Sequence, residues 1–262
     1  MAEKRKRVAM CYIATGPYIS FFERYRDTAM ENFLVDCDKH LYVWSDTEVE
    51  EREDTTYTFK EWKPWPDAAK YRYRTMLERE EELAEYDVVT MTNANTFFKS
   101  QSVLADIMPD GYSLFGVCQW YTWNVPPEER RKTMEEVYYS DIPGSNGYCT
   151  VDELCRSKAG WMLGGFQGGR SSDWLEACRV MTEWQHEDDL AGRYPKWPDE
   201  IYWNRWTMDR GANVLNPYEW LDMYCAYGKM CLVSKDQVFG RSDFRTRPKA
   251  SMPLLGRLGL QG

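Results

Sequence analysis

Arg7–Ala14 (RVAMCYIA), closed by Thr15-Gly16-Pro17, is the stretch on which the fold turns. An unbroken apolar run of this length, bounded by a turn, reads as a buried strand. Pro17 suits the first turn of a helix. The segment from Tyr18 to Leu34 then sets Phe21, Phe22, Tyr25, Ala29, Met30 and Phe33 on one broad helical face. Leu41–Trp44 reads as a second short strand, followed by an acidic loop at Glu48–Asp54. Pro64-Trp65-Pro66-Asp67 is a stop followed by a helix cap at Asp67, and a charged helix runs on to about Ala84. Asp87–Met91 (DVVTM) is a third buried strand, ending in Thr92-Asn93-Ala94-Asn95. Strand, helix, strand, helix, strand predicts an α/β fold with a mostly parallel sheet covered by helices. Ligands of such sheets sit at the carboxyl ends of the strands, where Thr15-Gly16 and Asn93-Ala94-Asn95 fall.

The second half is less regular. Tyr112–Cys118 reads as a strand, Pro126–Glu136 as a charged helix and Ser140–Gly147 as a loop. Ser171-Ser172-Asp173 caps a helix to about His186, and Pro198–Asp209 forms a short one. At 262 residues the chain holds one large domain or two small ones. Its net charge of −9 argues against nucleic acid as a main partner, because phosphate binding needs a basic surface. The 12 Trp, 18 Tyr and 10 Phe exclude low-complexity disorder. With a mean hydropathy of −0.67 they suit binding of something flat, such as a sugar or a base, although Trp more commonly fills a core. No apolar run is long enough for a membrane span. The basic start, Lys4–Arg7, reads as a solvated lead-in to the first strand and not as a signal peptide. Eight Cys without a CxxC pair, and only two His, argue against a zinc site and for free, mostly buried thiols in a reducing cytoplasm.

Four motifs carry candidate chemistry. Leu163–Gly169 (LGGFQGG) lacks the Lys-Ser/Thr of a phosphate loop and reads as a bend where backbones approach closely. Asn93-Ala94-Asn95 either caps the next segment or offers two neutral amides to sugar hydroxyls, ribose or phosphate. Uncharged amides hold hard cations poorly, so no metal is expected there. Trp197-Pro198-Asp199-Glu200 is either an ordinary helix start or the seat of a carboxylate, Glu200, beside an anomeric carbon. Lys235 and Arg241, near Arg245, Arg247 and Lys249, form either a solvated basic tail or a clamp on an anionic leaving group.

Taken in order, these stretches resemble glycosyltransferase family 6, which includes the ABO blood-group transferases, the α-1,3-galactosyltransferases and bacterial relatives. Ile13–Asp46 is similar to the family's opening segment, with A-T-G-x-Y, T-A-x-x-x-F-L-V and Y-V-W-S-D. Trp65-Pro66-Asp67 with Arg72 resembles W-x-D-x4-R. Asn93-Ala94-Asn95 resembles the Asn-x-Asn of bacterial members, where vertebrate members have Asp-x-Asp. Leu163–Gly169 is similar to L-G-G-F-F-G-G, Trp197–Glu200 to W-H-D-E, and Val214–Asp222 to V-L-S-P-E-Y-L-W-D. Ser234-Lys235 with Arg241 resembles the family's tail. The departures fall on the acceptor side: Gln119-Trp120-Tyr121 stands where the family has His-Pro-Gly, and Pro198 replaces a histidine.

The resemblance implies a GT-A fold: one Rossmann-like nucleotide-sugar-binding domain over residues 1–244, its mixed central sheet flanked by helices. The donor half would span about 7–110, the acceptor half about 111–244, and 245–262 would be a flexible tail. It implies retaining, metal-independent transfer of GalNAc or Gal from UDP-GalNAc or UDP-Gal to a glycan acceptor, with α-linkage. Ile13, Thr15 and Tyr18 would line the uridine. Arg72 and Asp199 would contact the donor sugar, and Asn93 and Asn95 the ribose, sugar or phosphates. Leu163, Gly164 and Gly165 would shape the sugar pocket, with Gly165 leaving room for an acetamido group. Gln119, Trp197 and Asp222 would face the acceptor. Glu200 would be the catalytic carboxylate, and Lys235 and Arg241 would meet the departing diphosphate. A soluble, cytoplasmic protein of bacterial or phage type is expected. The alternatives are an inactive sugar- or nucleotide-binding protein of the same fold, or a metal-dependent GT-A transferase with another donor.

Overall fold

A computed structural model describes residues 4–64, 66–138, 142–222 and 228–234. Seven strands form one mixed sheet in the order β3-β2-β1-β4-β7-β6-β8. They are β1 (Arg7–Ile13), β2 (Asp38–Ser45), β3 (Thr55–Phe59), β4 (Val88–Thr92), β6 (Leu114–Cys118), β7 (Met162–Arg170) and β8 (Asn213–Leu215). β3, β2, β1 and β4 are parallel neighbours. β7 runs antiparallel to β4 and to β6, and β8 is parallel to β6. β5 (Thr96–Phe98) and β9 (Met230–Leu232) pair antiparallel in a second, two-stranded sheet.

Strand periodicity divides the core. In β1, Val8, Met10 and Tyr12 join one cluster, with Phe22, Tyr25 and Phe33. Ala9 and Cys11 join the other, with Trp44, Tyr73, Trp174 and Trp203. Successive side chains point to opposite faces, so a run apolar at every position must be covered on both. The helix Phe22–Asn32 covers one face, and the helices Ser171–Leu190 and Glu200–Arg210 cover the other. Each large apolar side chain so buried contributes about 1.5–3 kcal/mol. Among the described residues, no helix is long and apolar enough to cross a membrane.

The first-half strands and the Phe22–Asn32 helix lie where the apolar pattern put them; other elements differ. Met162–Gly169 is not a bend but nearly all of β7, a nine-residue strand. Glycine is a weak strand former, yet here β4 and β6 crowd in on both sides. A side chain at Gly168 or Gly169 would start 2.3 Å from the carbonyl oxygen of Val89 or of Ser113. β3 was hidden behind the acidic loop. Asp67 does not cap a helix: it is the first residue of a short one, Asp67–Lys70, with no side-chain cap. The charged segment that follows is broken at Tyr71 into Arg72–Met76, a 3-10 turn and Glu80–Leu83. Ser171 opens its helix directly, with Arg170 at the cap position and no capping side chain. The Pro126–Glu136 helix is an α-helix over Pro127–Thr133 continued by a π turn. Cys11, Cys37, Cys118, Cys149, Cys155 and Cys178 are free and buried, but Cys231 is disulfide-bonded, so the expectation of free thiols fails there.

Candidate functional site

The sheet topology brings four chain segments to one edge. β1 ends at Ile13 and β4 at Thr92, side by side, with Tyr12 paired to Thr92. β7 runs the other way, so its first residues lie at the same edge: Phe166 pairs with Thr92, and the Asn93 amide donates to the Gly165 carbonyl at 2.9 Å. β6 ends there too, with Cys118 paired to Met162 and the Gln119 amide donating to the Trp161 carbonyl at 2.7 Å. Leu163, Gly164 and Gly165 therefore sit between the ends of β4 and β6. The Tyr12 hydroxyl donates to the Ala94 carbonyl at 2.9 Å and ties β1 to the Asn93-Ala94-Asn95 turn.

Glu200 is the first residue of the helix Glu200–Arg210, where the helix dipole favours a carboxylate. One carboxylate oxygen accepts the Trp161 indole N–H at 2.8 Å, and the other accepts the Gly164 amide at 3.1 Å. Burial raises its pKa to about 7, with the neighbouring Asp199 charge adding to the rise and the two donors and Arg72 opposing it. Near neutrality the group is therefore present in both protonation states. It can hold a proton or stabilise a positive centre, and its geometry is set by the protein rather than by solvent.

Asp199 is buried and pairs with Arg72, the guanidinium Nη1 lying 3.1 Å from Asp199 Oδ2 and 2.5 Å from the Gly164 carbonyl oxygen it donates to. Arg72 opens the short helix Arg72–Met76, whose Tyr73 donates its hydroxyl to the Asp199 carbonyl at 3.1 Å. Gly164 is the point of closest approach. A Cβ there would stand 2.5 Å from Asp199 Oδ2, 2.9 Å from Arg72 Nη1 and 3.3 Å from Glu200 Cγ. Four residues singled out in the sequence, Arg72, Gly164, Asp199 and Glu200, thus meet at one place.

No family model matches this chain. No curated protein matches it either. What the site can do therefore rests on its own geometry.

The other candidate residues are placed as follows. Thr15 is buried, and Ile13 and Tyr18 are half-buried at the end of β1. Between them Gly16 takes a φ of +61°, a conformation that favours glycine, and its amide donates to Asp46 Oδ1 at 2.6 Å. Trp62 lies flat against it: a Cβ on Gly16 would fall 2.6 Å from the indole Cδ1. Asn93 is half-buried, its amide nitrogen 3.1 Å from where a Gly165 Cβ would be. Asn95 is buried, and its amide nitrogen donates to the Val233 carbonyl at 2.6 Å. Gln119 is buried and its side-chain oxygen accepts the Trp120 amide at 2.9 Å. Trp197 is half-buried against the core, with the Lys196 ammonium 5.5 Å from its ring centroid. Asp222 is buried and accepts the Gly228 amide at 3.2 Å. Lys235, Arg241 and Trp65 lie outside the described residues.

Sequence reasoning missed three contributors. Trp161 holds Glu200. Asn204 holds β7 in place by exchanging hydrogen bonds with the Met162 backbone at 2.8 and 2.9 Å, and it donates to the Glu200 carbonyl at 2.7 Å. Trp62 shelves the β1 turn. The spacing of Glu200 and Asn204, four apart on one helix face, is the only local signal; Trp161 and Trp62 come from distant segments.

Proposed function

We propose that the protein is a retaining GT-A glycosyltransferase. It moves GalNAc or Gal from UDP-GalNAc or UDP-Gal to a glycan acceptor with α-linkage, without a metal. The observation that carries this reading is the Glu200 carboxylate, held by Trp161 and Gly164 next to the Arg72–Asp199 pair at the carboxyl edge of the sheet. The order of motifs along the chain supplies the donor class, and the departures at Gln119 and Pro198 leave the acceptor open as a glycan.

In this reading the bond between the anomeric carbon and the diphosphate breaks with its electron pair going to UDP. Positive charge develops on the sugar and negative charge on the leaving group, and fixed opposite charges at those two places lower the barrier. Glu200 meets the anomeric carbon, as a charge stabiliser or as a nucleophile. Arg72 and Asp199 hold the sugar hydroxyls, and Gly164 and Gly165 leave the space it occupies. Asn93 offers an uncharged amide, so the leaving diphosphate is met by Lys235 and Arg241 of the C-terminal segment. Ile13, Thr15 and Tyr18 line the uridine, and Trp62 offers it a flat face.

The test is UDP release from UDP-GalNAc and UDP-Gal, with and without EDTA, followed by NMR assignment of the product anomer. Release that persists in EDTA, with an α-linked product, is the expected result. No release from any UDP-sugar would make the protein a binder of the same fold. Strict Mn²⁺ dependence would overturn metal independence, and a β-linked product would overturn retention.

A further inference from the structure

The two asparagines of the Asn93-Ala94-Asn95 turn are in different situations. Asn93 is half-buried and its amide faces Gly165. Asn95 is only 2% exposed, and it takes both backbone polar groups of one residue: the Val233 N–H donates to the Asn95 carbonyl at 2.8 Å, and the Asn95 side-chain amide donates to the Val233 carbonyl at 2.6 Å. Val233 follows directly on β9, whose Leu232 pairs with Thr96, so Asn95 continues the ladder by one residue beyond the strands. On its other side β9 is bonded to Asp222, whose amide donates to the Met230 carbonyl at 3.0 Å and whose carbonyl accepts from Leu232 at 3.1 Å.

Only an amide suits this position. A carboxylate would set oxygen against oxygen where the 2.6 Å bond now lies, in a place with almost no access to water. The Asn95 oxygen is buried without a hydrogen-bond donor, so the contact with Val233 is the side chain's single hydrogen bond. That contact also fixes which way the amide points, since the flipped amide would face the Val233 carbonyl with its oxygen.

We propose that Asn95 is a positioning residue. It locks β9 to the end of β4, and so sets the point, Val233-Ser234, from which the chain leaves toward Lys235. The catalytic consequence rests on the glycosyltransferase reading; the lock itself does not. Amide hydrogen exchange over residues 229–234 is measured in Asn95→Ala, Asn95→Asp and Asn93→Ala, together with kcat and donor KM for UDP release. Both Asn95 variants are expected to speed exchange in this segment at least about tenfold, the scale of one lost buried hydrogen bond, while Asn93→Ala leaves it unchanged. Asn95→Ala is expected to lower kcat with donor KM within about twofold, whereas Asn93→Ala raises KM. Wild-type exchange rates in Asn95→Ala would overturn the proposal, as would equally faster exchange throughout the main sheet. Faster exchange with kcat unchanged would reduce Asn95 to a structural tie and overturn its positioning role. Absence of UDP release by the unmodified protein would sink the glycosyltransferase reading alone, because the exchange result stands without it.

Discussion

Around Gly164 the carboxyl edge of the sheet gathers Arg72, Asp199 and Glu200, tied by hydrogen bonds to one another or to the Gly164 backbone. Around Gly16, at the end of β1, it offers a hydroxyl, a tyrosine and an indole, with Asp46 already bonded to the Gly16 amide. The first region is preorganised for charge, and its burial strengthens every electrostatic term. The second is a flat, largely neutral surface suited to a base. The contrast assigns chemistry to β7 and recognition to β1, on one sheet edge.

The strongest way to break this contrast is Glu200→Gln. It keeps the shape and removes the charge, so kcat for UDP release is expected to fall about 10²–10³-fold, as when one transition-state contact is lost, while the affinity for UDP measured by calorimetry stays the same. A parallel loss of UDP affinity would place Glu200 in recognition and erase the distinction.

Gly164→Ala tests how tight the charged region is. Its new methyl would start 2.5 Å from Asp199 Oδ2, so an overpacking cost of about 1–3 kcal/mol is expected in chemical denaturation, with activity lost as well. Gly165→Ala meets the movable end of Leu221, at 2.8 Å, and should cost less. Equal costs at the two positions would mean that the region yields.

At the other end, Trp62→Ala is expected to raise donor KM about tenfold with kcat little changed, the size of one lost aromatic stacking contact. An equal fall in kcat would tie the β1 turn to chemistry.

The smallest effect is on stability. Glu200 carries a raised pKa, so the folded protein binds its proton more tightly than the unfolded chain does. Its contribution is therefore fully present below pH 4.5 and declines as pH rises toward about 7. Thermal denaturation should show this decline in the unmodified protein and a flatter profile in Glu200→Gln. Identical profiles would mean that Glu200 is not buried as a carboxylate. Activity should follow the opposite sign, with kcat/KM rising as the carboxylate forms around pH 7.

Much of the fold was legible along the chain because its parallel strands are buried on both faces. Arg7–Ala14, Leu41–Trp44 and Asp87–Met91 had to be apolar at nearly every position, and that is a local signal. β7 was not legible. Its glycines suggest a bend, and only the presence of β4 and β6 on either side makes an extended strand of them. β3 (TTYTF) was likewise missed because its apolar content is small and its partner, β2, is not contiguous with it.

The sequence by itself determined which residue types carry the candidate chemistry: a carboxylate at 200, a guanidinium at 72, glycines at 164 and 165, and two uncharged amides at 93 and 95. Only the tertiary structure decided what each of them touches. It put Trp161 on Glu200, Asp199 on Arg72, and Asn95 on Val233 instead of in the same setting as Asn93. The reason is physical. Residue type fixes charge and hydrogen-bonding capacity, but burial and partners 36 to 138 positions away decide how that capacity is used.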